Sequence, residues 1–211
     1  MSFKTFFSKQ ARKPAGLVGR FVAAPLFEKG NHELNSLMFE TLDINENDHV
    51  LEIGFGTGKL INEIADHIEN GIVEGVDFSE TMVALAKKKN TRHIIAGRVQ
   101  IHSGDFDNVP FDENRFDKIF TVNTIYFWKN PEKTISKIYR LLKPGGKLFI
   151  GLHEKSEMEK MSLDREIFKY YSMEDLKELL SVHGSFDNVD IILKNGKRRT
   201  CYCVVGTKSV A

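Results

Sequence analysis

Residues 50–60 read "VLEIGFGTGKL": an apolar run passes into three glycines at every second position, Gly54, Gly56 and Gly58, and then into helix-forming sequence. Glycines so closely spaced leave bare backbone that a ligand, or another segment, can approach where a side chain would intrude. A strand, a glycine turn and a helix open several nucleotide-binding α/β folds. Which ligand is held depends on the third glycine, on an acid about twenty residues later, and on how the chain ends.

The rest of the chain continues the alternation. An apolar periodicity at Leu34, Leu37, Met38 and Leu42 predicts a helix, with Asn31 as its N-cap ahead of Glu33. Strand one is expected over 49–54 and an amphipathic helix over 57–71, with Leu60, Ile61, Ile64, Ala65 and Ile68 inward. Strand two (72–77) precedes a helix (79–90) capped by Ser79. Strands over 98–105 and 116–123 follow, then a helix over 130–146 stopped by Pro144-Gly145, and strand five over 147–154. Strands alternating with helices imply a parallel sheet covered on both faces. The end breaks the rhythm: after a helix at 172–184, strands 188–195 and 198–208 meet at Asn195-Gly196, a hairpin signal.

Composition narrows the class. At 211 residues one well-buried domain is expected, with 1–44 as a helical, lid-like leading segment and 45–211 as the ligand-binding body. Net charge is +1, from 30 basic and 29 acidic residues, so a nucleic-acid partner is not expected. The charge is uneven, since Lys4, Lys9, Arg12, Lys13 and Arg20 all precede the first acid, Glu28. Cys201 and Cys203 are too close for an unstrained bridge and read as free thiols in one sheet face. With no membrane-length apolar run and no signal-peptide pattern in "MSFKTFFSKQARKP", a cytoplasmic protein is expected, and no structural metal.

The dinucleotide fingerprint is G-x-G-x-x-G, but Lys59 stands where its third glycine belongs, and the glycine is at 58. This G-x-G-x-G, with Glu52 two residues ahead of it, resembles the first motif of the class I S-adenosylmethionine-dependent methyltransferases, in particular the "type 11", UbiE-like small-molecule group. Four further stretches are similar in order: Asp77 in "GVDFSETM", Asp105 in "SGDF", "FDKIFTVN" and "LLKPGGKLFI". The terminal hairpin also belongs to that fold and is usually lacking in dehydrogenases. Residues 14–42 are similar to the leading helices of small members of the group.

The resemblance implies a Rossmann-like, doubly wound, seven-stranded sheet, mostly parallel with an antiparallel C-terminal hairpin strand. It implies S-adenosyl-L-methionine as cofactor and S-adenosyl-L-homocysteine as product. The backbone at Gly54, Phe55, Gly56 and Gly58 would pass the methionine moiety, with Glu52 near its ammonium and Asn123 where cofactor meets acceptor. Asp77 would accept from both ribose hydroxyls, and Phe78 and Met82 would contact ribose or adenine. Asp105, with Gly104 and Phe106 beside it, would take the adenine amino group.

The acceptor side is less defined. Tyr126, Phe127 and Trp128 follow strand four, where they either pack the next helix or wall the substrate; Tyr126 is a candidate catalytic group. His153, at the carboxyl end of strand five, is the candidate base, against a plain capping role. Phe168, Tyr170 and Tyr171 are expected to build a substrate cap. The basic, phenylalanine-bearing start reads as a lid, a patch for anionic lipid or RNA, or a solvated tail. "NTIYFW" lacks the Asn/Asp-Pro-Pro-aromatic grip of amino-methyltransferases, so a small, apolar or lipid-like acceptor is favoured. The rival readings are a non-catalytic cofactor-binding subunit, a methyltransferase acting on RNA or protein, and a nicotinamide dehydrogenase.

Overall fold

The computed structural model describes residues 3–16, 30–160, 163–195 and 199–210. Arg20, Phe21, Phe27 and the expected turn at Gly196 lie outside them. Helix α1 (Phe3–Arg12) and helix α2 (His32–Leu42) lead into β1 (His49–Ile53). Then come α3 (Lys59–Ala65), β2 (Ile72–Asp77), α4 (Glu80–Lys89), α5 (Thr91–Ile95) and β3 (Val99–Ser103). β4 (Phe116–Val122) is followed by a 3-10 turn (Ile125–Phe127), α6 (Pro131–Leu141) and β5 (Leu142–His153). The chain ends with α7 (Lys155–Lys160), α8 (Met173–Glu178), a π-helical turn (Leu179–His183), β6 (Asn188–Asn195) and β7 (Thr200–Thr207).

The seven strands form one sheet in the order β3-β2-β1-β4-β5-β7-β6. β1 to β5 are parallel, β7 pairs antiparallel with β5, and β6 pairs antiparallel with β7. This is the doubly wound α/β sheet with a terminal hairpin that the sequence predicts. Each face carries its own core. On one, Leu34, Met38, Leu42, Ile61 and Ile64 pack with Cys201 and Cys203. On the other, Ile119, Ile135, Ile138 and Leu148 pack with Leu180 and Tyr202. The apolar stripe of α2 is thus wholly inside: a Cβ on Gly151 of β5 would lie 2.8 Å from Met38 Cε.

Caps decide the helix starts. Ser79 Oγ accepts from the Met82 amide, and three lysines close α4, where the helix dipole favours cations. Asn130 accepts from Lys133, with Pro131 at the first helical position of α6. Ser172 and Asp175 form a reciprocal capping box on α8.

Several boundaries differ from expectation for identifiable reasons. α3 stops at Ala65, not at 71, because the amides of Glu69, Asn70 and Gly71 all turn back to the Glu46 carbonyl at 2.9–3.1 Å. Gly71 sits so close to the preceding loop that a Cβ would meet Asp48 O at 2.1 Å. α6 ends at Leu141, and Pro144-Gly145 lies inside a bulged start of β5, with the Gly145 amide bonded to Lys208 O and Ser209 O. Proline biases the residue before it toward extended backbone, so the pair that stops a helix also suits a strand. The helix expected over 172–184 widens after Glu178, where the Gly184 amide bonds five residues back to Leu179 O. The short α5 was not anticipated.

Candidate functional site

A cavity of about 870 Å³ opens at the carboxyl ends of β1, β2, β4 and β5. Open parallel sheets bind ligands at this edge, and the volume falls within the roughly 300–1,000 Å³ of small-molecule sites. Its floor is the glycine turn. Gly54, Gly56 and Gly58 all have positive φ (73°, 53° and 71°), a conformation that glycine adopts without strain. Their surroundings differ. A Cβ on Gly54 would sit 2.4 Å from Thr124 Cγ2, whereas one on Gly56 would meet nothing within 4 Å. A Cβ on Gly58 would lie 2.7 Å from Ala86 Cβ and 2.9 Å from Asn90 Nδ2. Gly58 therefore permits α3 to pack on α4, which is a correction: the glycine expected to make room for ligand makes room for a helix. Gly56 is the bare backbone facing the cavity.

Two carboxylates flank that turn. Asp77, at the end of β2, is buried, and its Oδ2 accepts from the Gly56 amide (3.0 Å) and its Oδ1 from the Ser79 amide (2.8 Å). Burial pushes the Asp77 carboxyl up to about 6 against the pull of these amides and of Lys13. Glu52, on β1, is 3% exposed, and its Oε2 has no hydrogen-bond partner among the described residues. Burial first, and then the charge of Asp77, raise the Glu52 carboxyl well above the ordinary range. An unsatisfied buried carboxylate oxygen is costly and calls for a donor or cation from a ligand.

The adjoining wall holds Phe78, Met82, Gly104, Asp105 and Phe106, all on the cavity as expected. Met82 and Phe106 are buried, and Lys13 Nζ stands 5.5 Å from the centre of the Phe78 ring. Asp105 also makes a local turn, its Oδ1 accepting from the Asp107 amide at 3.2 Å. Phe55 lies beneath the turn, its ring 2.7 Å from where a Cβ on Gly75 would be.

At the other end Asn123 terminates β4 with φ 55°, a left-handed conformation that asparagine tolerates. Its Nδ2 donates to Asn31 Oδ1 (3.0 Å), and its Oδ1 accepts from the Tyr126 hydroxyl (3.3 Å). Asn31 does occupy the N-cap position of α2 but makes no side-chain cap bond; its amide serves the site instead. Tyr126, Phe127, Trp128 and Phe168 line this end, and Phe127 packs edge-on to Phe168 at 4.7 Å. Tyr170 and Tyr171 are corrected: they are not among the lining residues and pack against the core, Tyr171 O accepting from the Tyr202 hydroxyl. His153 is 4% exposed, lines the cavity, and has neither ring nitrogen bonded among the described residues. Burial, then the charge of Arg199, lowers His153 to about 4, so its ring is neutral near pH 7. Burial likewise holds the Tyr126 phenol protonated.

The leading segment forms the roof. Lys9, Ala11, Arg12, Lys13 and Pro14 line the cavity. Ser79 Oγ donates to Pro14 O (2.5 Å), tying the roof to the residue that caps α4. On the far side Thr5 Oγ1 donates to Asp164 Oδ2 (2.9 Å), and the Asp164 amide donates to Ser8 Oγ (3.0 Å). Thr124, Met158 and Leu163 also reach the cavity without having been singled out, and Asn31 was expected only as a cap; they come from segments whose meeting no local pattern records.

The arrangement fits S-adenosylmethionine on its own geometry. Gly56 offers open backbone, Glu52 an unpartnered acceptor for an ammonium, and Asp77 spare acceptor capacity. A carboxylate has about four lone-pair sites, and the two amides leave room for a pair of hydroxyl donors.

Known proteins agree with this picture. The chain is 28% identical over 187 residues to the uncharacterized methyltransferase YdaC of Bacillus subtilis, which covers 89% of this chain and 98% of that one. A SAM-dependent methyltransferase of Aquifex aeolicus shares the fold with a TM-score of 0.70 at 20% identity, covering 88% of this chain and 96% of its own. The putative methyltransferase solved with the Haloferax volcanii Trm112 activator superposes with a TM-score of 0.75 at 18% identity, over 99% of this chain and 100% of that one. Residues 51–150, from the strand carrying Glu52 to the strand beside Asn123, match the methyltransferase domain family.

Proposed function

We propose that this protein is an S-adenosylmethionine-dependent methyltransferase acting on a small acceptor with an apolar body. One observation carries the reading: Glu52, whose Oε2 has no partner among the described residues, and the amide-held Asp77 face a single cavity across the open Gly56 backbone. Asp77 is suited to a ribose diol, Glu52 to the ammonium of an amino acid, and the Phe78, Met82 and Phe106 wall to a flat base. The extent of the cavity and the aromatic end at Phe127, Trp128 and Phe168 support a second, largely apolar molecule beside the cofactor.

Bound S-adenosylmethionine would supply a methyl carbon already activated by a sulfonium charge. The chain then has three tasks: to align, to exclude water and to manage one proton. Asn123, fixed between Asn31 and Tyr126, sets the junction between the two ends of the cavity. The α1 roof, joined at Pro14 and Asp164, closes it from water. His153 is neutral and its ring nitrogens have no partner among the described residues, so it can accept a hydrogen bond or proton from an acceptor hydroxyl or amine. Its low proton affinity makes it a weak base, suited to steadying a nucleophile more than to deprotonating a reluctant one.

The test is transfer of label from methyl-labelled S-adenosylmethionine to a panel of apolar phenols, amines and carboxylic acids. Labelled product that falls with His153→Ala at unchanged cofactor affinity supports the reading. Tight cofactor binding without transfer to any class would favour the non-catalytic alternative.

A further inference from the structure

The two edges of the sheet are unequal. β3 is five residues long, with Gln100 exposed and His102 engaged by Glu74 at 2.7 Å. β6 is eight residues long, and on its outer side no strand pairs with it among the described residues. Its centre, Asp190-Ile191-Ile192-Leu193-Lys194, holds three large apolar side chains that are 37%, 40% and 54% exposed. Open strand edges template pairing with other chains and are normally blunted by charge, proline or brevity. Here the charges stand at the ends of the apolar run, not in it.

That sequence is self-complementary. In an antiparallel pair directly opposed residues share a sheet face, so a two-fold axis normal to the sheet must pass through a residue position. With the axis at Ile192, Asp190 faces Lys194 of the second copy twice over, Ile192 faces itself, and Ile191 faces Leu193 on the other side. Moving the axis to Ile191 sets Asp190 against Ile192, and moving it to Leu193 sets Lys194 against Ile192. Opposite charges and apolar pairs opposed across strands are stabilising, and like charges are not. Of these registers, the one centred on Ile192 satisfies every pair within residues 190–194.

We infer that β6 is a self-association edge, two copies of this chain pairing antiparallel about Ile192 into a continuous sheet. The contact is narrow against the ~1,200–2,000 Å² of stable complexes, so the dimer is weak and concentration-dependent. None of residues 190–194 lines the cavity.

Sedimentation velocity of the full chain from low to high micromolar concentration tests this. Wild type should pass from monomer to dimer, and Ile192→Lys should hold it monomeric. Asp190→Lys should weaken association roughly two- to tenfold through its two like-charge pairs. Lys194→Asp should do likewise, and the double reversal should restore it. Lys194 also bridges Glu40 at 2.8 Å, so melting curves of each variant separate lost folding from lost pairing. A monomer at every concentration, a dimer indifferent to Ile192→Lys, or a double reversal no better than the singles would each overturn the inference. The first of these would leave the edge to a different protein.

Discussion

The two ends of the cavity are made of different material. The Glu52–Asp77 end rests on strand termini and a glycine turn within one βαβ unit, with Asp77 held by backbone amides. The Asn123–His153 end is assembled from α1, α2, the 3-10 turn and residues 155–168, joined by side-chain bonds between distant parts of the chain. The first end is built to hold one constant ligand. The second can change its occupant by changing loops, without disturbing the sheet.

The largest expected effect sharpens that contrast. Asp77→Ala removes acceptors for two charge-assisted hydrogen bonds, each worth roughly 1.5–3 kcal/mol, so S-adenosylmethionine affinity should fall by about two orders of magnitude or more in calorimetry. Phe168→Ala, at the other end, should leave that affinity near wild type and raise the KM of the acceptor. Equal losses from both would dissolve the distinction.

Next come the glycines. Gly58→Ala combines left-handed backbone with a clash on Ala86 and should destabilise by about 2–4 kcal/mol, seen in denaturant unfolding. Gly56→Ala meets open space; it should cost only about 1–2 kcal/mol of stability for its backbone and weaken cofactor binding more than Gly58→Ala does. The reverse ranking would put the ligand at the wrong glycine.

Charge supplies a subtler check. Asp77 is raised from 3.8 to about 6 in the folded chain, so between those values the folded state holds more protons than the unfolded one. Its contribution to stability is full below about 4 and is lost as pH rises through about 6. Glu52 is raised in the same direction. Ligand-free protein should therefore melt higher at pH 5 than at pH 7, by more than the Glu52→Gln variant does. Glu52→Gln should also raise stability at pH 7 while weakening S-adenosylmethionine binding. Cofactor affinity of the wild type should decline as pH falls below about 6, because a protonated Asp77 loses acceptor capacity.

The smallest effect concerns the roof. Asp164→Ala breaks the Thr5 contact at a partly exposed site, worth roughly 0.5–1.5 kcal/mol. Stopped-flow dissociation of the cofactor should quicken several-fold with little change in melting temperature. An unchanged rate would mean that the cover does not restrain the ligand.

The end that the sequence revealed is the one whose logic is local. Positive φ at Gly54 and Gly56 and an acid closing β2 leave a fixed spacing, so the turn, Glu52 and Asp77 were legible from residues 50–77. Gly58 was misread because spacing records the need for a bare backbone but not which neighbour presses on it. Asn31 looked like a cap since nothing adjacent shows that Asn123 lies within 3.0 Å of it, though 92 residues away in sequence. Lys13, Pro14 and Asp164 escaped for the same reason. Pro144-Gly145 misled because a proline that halts a helix equally suits the bulge that starts β5.

The most direct measurement is titration calorimetry of the wild type and of Asp77→Ala with S-adenosylmethionine, S-adenosylhomocysteine and NAD. Both adenosyl compounds should bind the wild type, NAD should not, and the substitution should remove most of the affinity. Binding of NAD, or adenosyl binding indifferent to Asp77, would contradict the proposed function.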